Sequence, residues 1–388
     1  MNASGKTSFL IFSPYYPPHI GGLESHADEF NKHLSQRGVD IIVFTPHIPV
    51  SAPERETIHN HVEVIRFPAF ELIHNYPVPK LWSPKFWILW RELFRSDTDI
   101  IISRTRFFLT SLMALIYAKT RGKKWIHIEH GSDFVQLSSA FKTFLAKLYD
   151  HIFGRLVFRY SDKNISISKA VQNFVGKFDK RMSPVIYRGL ETRAIDAIAP
   201  DTEVRARHHG KVILTFIGRL YKWKGVADSI TAIRSLPEEI KNKIVFLIVG
   251  DGEDFSSLKK LSQSEKCIEM LGSLPTKHAI AILKSSDIYL HSAHPGGGLS
   301  TSLLEAIYCG CTVVATPHEG ANEVIRNGEN GILMEDSSPI SVKVAIASLL
   351  ANSSHNDVSL KNQARQTITE KFSWKKSIDE YVDIFKAL

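Results

Sequence analysis

The strongest constraint on this chain is an alternation, running over most of its length, of short apolar runs with amphipathic helical segments. Ser8–Phe12 reads as a strand, a Pro/Gly loop follows, and a helical pattern runs from about Leu23 to Gln36. Gly38 stops that helix, and Val39–Phe44 is the next strand. Further strands are predicted at Val62–Phe67, Ile100–Ser103, Lys124–Ile128, Asn164–Ser168 and Pro184–Tyr187. The pattern pauses over 193–210, which is polar and lacks a strong strand signal. It resumes with strands at Val212–Ile217, Ile244–Val249, Ile268–Leu271, Ile288–His291 and Thr312–Ala315. Between them lie helices at Val226–Ser235, Phe255–Ser264, Lys277–Lys284 and Leu299–Cys309. Strands that alternate with helices form parallel sheets. Two such series predict an α/β protein of two doubly wound Rossmann-like domains facing a central cleft, with ligands outside the carboxyl ends of the strands.

A length of 388 residues suits two domains, and 44% hydrophobic with 23% charged residues excludes a disordered chain, a collagen-like fibre or a coiled-coil rod. Three cysteines are too few for a disulfide framework, so a reducing compartment is expected. The N-terminus lacks the long apolar core and cleavage site of a signal peptide, and no window offers about 18 uninterrupted apolar residues. Net charge is +8, and it lies wholly in the first half. Residues 1–190 carry 25 Lys and Arg against 16 Asp and Glu, and residues 191–388 carry 23 against 24. A basic half suggests an anionic partner, set against a merely solvated basic face.

The chemistry concentrates at predicted strand ends. Strand Val212–Ile217 runs into Gly218-Arg219-Leu220-Tyr221-Lys222-Trp223-Lys224-Gly225. A forked Arg donor, a mobile Lys charge and the free amides of a helix start make a diphosphate site; the bland alternative is a solvated basic loop. Strand Ile244–Val249 ends in Gly250-Asp251-Gly252, a tight turn. Strand Ile288–His291 leads to Gly296-Gly297-Gly298-Leu299-Ser300-Thr301 and then Glu305. The glycines let amides approach an anion, the hydroxyls can cap the helix or donate to phosphate, and a carboxylate can accept ribose hydroxyls. In the first half, Pro17-Pro18-His19-Ile20-Gly21-Gly22 joins strand to helix without a dinucleotide fingerprint or an ATPase phosphate loop. Strand Lys124–Ile128 ends in Glu129-His130-Gly131-Ser132-Asp133, which brings His130 to a carboxyl end.

The order PPHIGGLE, EHGSD, GRLYKWKG, GDGED, GGLSTSLLEA and CGCTVVAT resembles glycosyltransferase family 4 over essentially the whole chain. These are retaining, nucleotide-sugar-dependent enzymes of the GT-B fold. The resemblance implies that Arg219 and Lys224 hold and stabilise the donor diphosphate, that Glu305 binds the ribose, and that Gly218, Gly297, Gly298, Leu299, Ser300 and Thr301 line the donor site. It implies that Gly21 and Gly22 form a loop over the diphosphate and acceptor, and that His130 sits beside the transferred sugar. It divides the chain into an acceptor-side domain (1–192), a linker (193–210), a nucleotide-sugar domain (211–371) and a last helix (372–388) that crosses back to the first domain. The family pattern carries two Glu separated by seven residues, and here the first falls on Gly297, so the resemblance does not fix the donor sugar.

The expected activity is transfer of a sugar from a UDP- or GDP-linked donor to a glycan or lipid-linked acceptor, in cell-surface polysaccharide (including lipopolysaccharide) or glycolipid synthesis. No cofactor or metal is expected, since Arg219 and Lys224 supply the positive charge. Asp97-Thr98-Asp99 copies a D-x-D metal site but precedes its strand, and Cys309 and Cys311 fit a close strand approach better than zinc. The alternatives are a nucleotide-sugar epimerase on a similar fold and a basic nucleic-acid binder, the latter without any recognised motif. Asn75–Arg95 and Ser139–Phe158 mix aromatic rings with cations, which predicts a cytoplasmic protein held peripherally at the anionic inner face of the cell membrane.

Overall fold

The computed structural model describes residues 7–19, 21–73, 76–135, 140–295, 298–318 and 320–388. The chain forms two compact units, Met1–Gly189 with Trp374–Leu388, and Leu190–Ser373.

The first unit holds β1 (Ser8–Phe12), β2 (Asp40–Pro46), β3 (Arg55–Ile58), β4 (Val62–Phe67), β5 (Ala69–Ile73), β6 (Tyr76–Pro79), β7 (Ile100–Arg104), β8 (Lys124–Glu129) and β9 (Lys163–Ser166). Seven of them form one sheet in the order β3-β4-β2-β1-β7-β8-β9, parallel except for antiparallel β3 at the edge. β5 and β6 pair as a separate hairpin. Successive strand residues point to opposite faces. Phe9, Ile11, Ile41 and Val43 therefore join one core layer, while Leu10, Phe12, Phe44 and Ile101 join the other. The last helix, Trp374–Lys386, lays Trp374, Ile378 and Tyr381 into the first of these layers.

The second unit holds β10 (Val212–Ile217), β11 (Ile244–Val249), β12 (Ile268–Gly272), β13 (Ile288–His291), β14 (Thr312–Ala315) and β15 (Ile332–Leu333). They form one parallel sheet in the order β12-β11-β10-β13-β14-β15. The run IVFLIV of β11 is buried throughout, as a strand covered on both faces requires.

In each unit the strand order reverses once, at β1/β7 and at β10/β13. The crevice outside the carboxyl ends at such a reversal is where doubly wound folds bind ligands. The loops that carry the candidate residues of the sequence lie at or beside these two reversals.

Several local readings change. Pro184–Tyr187 is not a strand: Val185 makes one isolated bridge, with Ser166, and Pro184 has no N–H to extend a ladder. Residues 193–210 are not a bare linker. They include the end of the Thr192–Asp196 helix and all of Thr202–Arg207, the latter capped by Asp201, whose side chain accepts from Val204 N at 2.9 Å. Arg205 then ties this stretch to Asp287 at 3.0 Å, so it belongs to the second unit. The chain passes between units at 189/190 and 373/374. The helix predicted from Leu299 starts instead at Thr301.

Candidate active site

In the second unit, three loops at the carboxyl edge are laced together by backbone. Leu220 N donates to Asp251 O at 2.9 Å, and Asp254 N donates to Leu220 O at 3.0 Å. His294 N donates to Trp223 O at 2.7 Å, and Ser292 Oγ donates to Gly225 O at 2.7 Å. Gly225 has φ +67°, and a Cβ there would fall on the Ser292 carbonyl. Gly250 is equally constrained, since a Cβ would fall on the Gly218 carbonyl. These approaches bring the β10, β11 and β13 loops together in a way that only glycine permits.

Gly218, Arg219 and Lys224 sit half-buried on the β10 loop. Tyr221 and Trp223 alternate with these cations, and their rings stack 4.5 Å apart. Gly298, Leu299 and Ser300 lie on the β13 loop, and Thr301 opens the Thr301–Tyr308 helix. The first amides of that helix have no intrahelical acceptor, as at any helix start. Glu305 is half-buried one turn further on. Gly297 lies outside the described residues. Ser300 occupies the N-cap position, but its hydroxyl makes no cap; it pairs with Ser302 Oγ at 3.1 Å, which accepts from Tyr289 OH at 2.8 Å.

Sequence reasoning missed His294 as a link in this unit. Its Nε2 meets Asp228 Oδ2 at 2.8 Å, and its Nδ1 meets Ser337 Oγ at 2.8 Å. The ring thereby ties the β13 loop to the helix that follows Gly225.

In the first unit, Gly21 is the N-cap of the Gly22–Ser35 helix and accepts from Ser25 N at 3.0 Å, and a Cβ on Gly22 would meet open space. His130 follows β8 directly. Its amide donates to Glu129 Oε1 at 2.9 Å, beside that of Gly131 at 2.7 Å. Glu129 Oε2 accepts from Arg106 N at 3.0 Å and faces His127 Nε2 at 3.2 Å. Arg106 Nη1 lies 3.2 Å from Glu129 Oε1, and its Nη2 bridges Asp150 and the Asp133 carbonyl, both at 2.9 Å. All three charged side chains are fully buried. Burial would raise the Glu129 pKa, but Arg106, His127 and the Gly131 amide outweigh it and hold the carboxyl at about 2. Burial pushes Asp150 up to about 6, aided by the Glu129 charge and opposed by Arg106. Burial, with Arg104 beside it, lowers His130 to about 3. None of Arg106, Glu129 and Asp150 stood out as a site residue in the sequence, except that Glu129 adjoins His130.

Asp97 and Asp99 lie at the opposite, amino edge of the sheet. Asp99 Oδ2 accepts from Ser8 N at 2.8 Å, and Asp97 pairs with Lys123 at 3.2 Å. Among the described residues no group of three or more His, Cys, Asp or Glu could hold a metal ion. No helix there is long and apolar enough to cross a membrane. The aromatic segments divide in two: Phe86 and Phe158 are core, whereas Trp82, Trp87, Phe141 and Phe144 are exposed.

Residues 20–194 match the family described as Glycosyltransferase Family 4, and residues 200–367 match Glycosyl transferases group 1. An uncharacterised glycosyltransferase of Methanocaldococcus jannaschii is 47% identical over 390 residues, covering 99% of both chains. Among solved structures, sucrose-phosphate synthase of Thermosynechococcus elongatus is similar at TM-score 0.79 and 16% identity, covering 98% of each chain. The Anabaena protein HepE in complex with UDP-glucose is similar at TM-score 0.74 and 16% identity, covering 98% of this chain and all of that one. These structural likenesses carry the fold, which is the two-domain Rossmann-like GT-B class expected from the sequence.

Proposed function

Because the chain belongs to the glycosyltransferase family of its 47% identical archaeal relative, we propose that it moves a sugar, with retention, from a UDP- or GDP-linked donor to a glycan or lipid-linked acceptor. The carrying observation is the laced β10–β11–β13 edge, where the loop that bears Arg219 and Lys224 is bonded to the β13 loop at Trp223 and Gly225. Charge develops on the diphosphate as the glycosidic bond breaks. Two cations and a helix N-terminus, fixed before reaction, stabilise that charge without reorganising.

In this reading Arg219 forks onto the diphosphate and Lys224 neutralises it, so no metal is required. Gly218, Gly298, Leu299, Ser300 and Thr301 line the donor, Glu305 accepts the ribose hydroxyls, and Gly297 stands where a sugar-contacting carboxylate is absent. Gly21 and Gly22 form the loop over diphosphate and acceptor, and His130 touches the transferred sugar. The product belongs to cell-surface polysaccharide or glycolipid synthesis. The HepE complex with UDP-glucose makes a UDP-linked sugar the first donor to try.

The membrane reading rests on the Ala140–Tyr149 helix. Phe141, Phe144, Leu145 and Leu148 recur at helical spacing on one exposed face, Phe141 at 69% and Phe144 at 62% exposure. Ile152 and Phe153 extend that face, and exposed Lys147, Arg155 and Arg159 flank it. In this reading the rings sit at headgroup depth, the cations meet anionic lipid, and the acceptor is carried by that membrane.

The test is a panel of UDP-, GDP- and dTDP-sugars assayed for nucleoside diphosphate release with and without a membrane extract. Release that depends on acceptor supports transfer. Conversion of the sugar to its epimer without acceptor identifies an epimerase instead. Salt-reversible sedimentation with anionic vesicles, lost in Phe144→Glu, supports the membrane reading; no sedimentation at low salt refutes it.

A further inference from the structure

Arg104, the last residue of β7, is fully buried, and among the described residues it has no carboxylate partner. Its guanidinium lies over the Phe30 ring at 4.7 Å, and its Nη1 donates to His26 Nδ1 at 3.0 Å. An acceptor at Nδ1 fixes His26 as the Nε2–H tautomer. The His26 ring, itself buried, stands edge to face against His130 with centroids 4.7 Å apart. The His26 ring also meets Trp374, with centroids 5.5 Å apart. The three residues come from the helix after β1, the end of β7 and the loop after β8, which are neighbours at the carboxyl edge of the first sheet.

An uncompensated buried guanidinium is costly. We infer that Arg104 and His26 are positioning residues for His130: the buried guanidinium locks the His26 ring, and that ring backs His130 in one orientation toward the sugar. The inference rests on the reading of His130 given above. The same arrangement keeps His130 uncharged. The groups facing it are Arg104 from β7, His26 from the first helix, His127 and Glu129 from β8, and Arg188 from the segment before the unit boundary. Arg188 is paired with Glu29 at 2.6 Å. Burial lowers both His26 and His130, the Arg104 charge adds to it in each, and Glu129 opposes it at His130. A neutral imidazole can hydrogen-bond a sugar hydroxyl without repelling the positive charge that gathers on the sugar as its bond to diphosphate breaks.

Three variants of the full chain test this: Arg104→Met, Arg104→Lys and His26→Gln. Histidine ring resonances and kcat are followed from pH 2 to 8, a range that spans the native His130 midpoint of about 3, His130 being assigned by its loss in His130→Gln. Arg104→Met removes a charge without orphaning any carboxylate, so it is compatible with folding. It should raise the His130 midpoint by about one unit or more and move the acidic limb of kcat upward with it. Arg104→Lys should restore the wild-type limb. His26→Gln should lower kcat at pH 8 with donor KM within about twofold, and it reads the same chain of contacts if Arg104→Met does not fold. A His130 midpoint unmoved in Arg104→Met, with Arg104→Lys indistinguishable from it, overturns the inference; so does wild-type kcat in His26→Gln. Full activity in His130→Gln would refute the role of His130 itself, and the ring titration still reports the coupling in that event.

Discussion

Glu129→Gln is the sharpest probe of how the first unit holds its carboxyl-edge loop. The replacement keeps size and shape and removes one negative charge at a fully buried position. In the native protein the carboxyl falls from its ordinary 4.5 to about 2. At 1.36 kcal/mol per unit, the folded state favours the charged form by about 3 kcal/mol. The Gln amide must also turn an N–H₂ toward Arg106, His127 or the amides of His130 and Gly131, all of which are donors. One mismatched buried donor adds about 1–3 kcal/mol. Thermal unfolding of the first unit at pH 7 should therefore drop by roughly 10 °C.

The pH dependence gives an independent check. The depressed Glu129 contributes stability that is present above about 4.5 and is lost as pH falls toward 2. Asp150 has the opposite sign: its stabilising contribution is full below 3.8 and is lost as pH rises through about 6. Wild type should weaken between pH 4.5 and 2, and Glu129→Gln should be much flatter there. Calorimetry across pH 2–7 decides it. A variant within 1 kcal/mol of wild type at pH 7, with the same acid limb, would refute the argument that this charge organises the loop.

Replacing Arg219 or Lys224 by Ala should lower kcat on the order of 10²–10³-fold, by analogy with the loss of one fixed donor to a developing anion; steady-state kinetics with the accepted donor would detect it, and near wild-type rates in both would remove them from the mechanism. Glu305→Gln should raise donor KM and weaken discrimination against deoxyribose analogues, because the ribose hydroxyls lose a charged acceptor worth about 1.5–3 kcal/mol; unchanged donor binding by calorimetry would sink the assignment. Gly225→Ala forces a Cβ onto the Ser292 carbonyl at positive φ and should cost the second unit about 2–5 kcal/mol, read as a lower unfolding midpoint with weaker nucleotide binding.

The primary sequence by itself determined the order of strands and helices, the division into two α/β series, and the loops that bear Arg219, Lys224, His130 and Glu305. It could do so because parallel strands buried on both faces read as apolar runs, and because the loops beyond their carboxyl ends hold the glycines and cations. Strands such as β3, half-exposed at an edge, carry no such signal and were missed. Only the tertiary structure decided which charges meet. Glu129, Arg106 and Asp150 are separated by 23 and 44 residues along the chain, and Arg104 reaches His26 across 78. Periodicity reports the face a residue occupies, not the residue packed opposite it. The same limit hid that Phe158 closes the core while Phe144, on the same mixed segment, faces solvent. A ring's chemistry is identical in both places, and only packing against the sheet separates them.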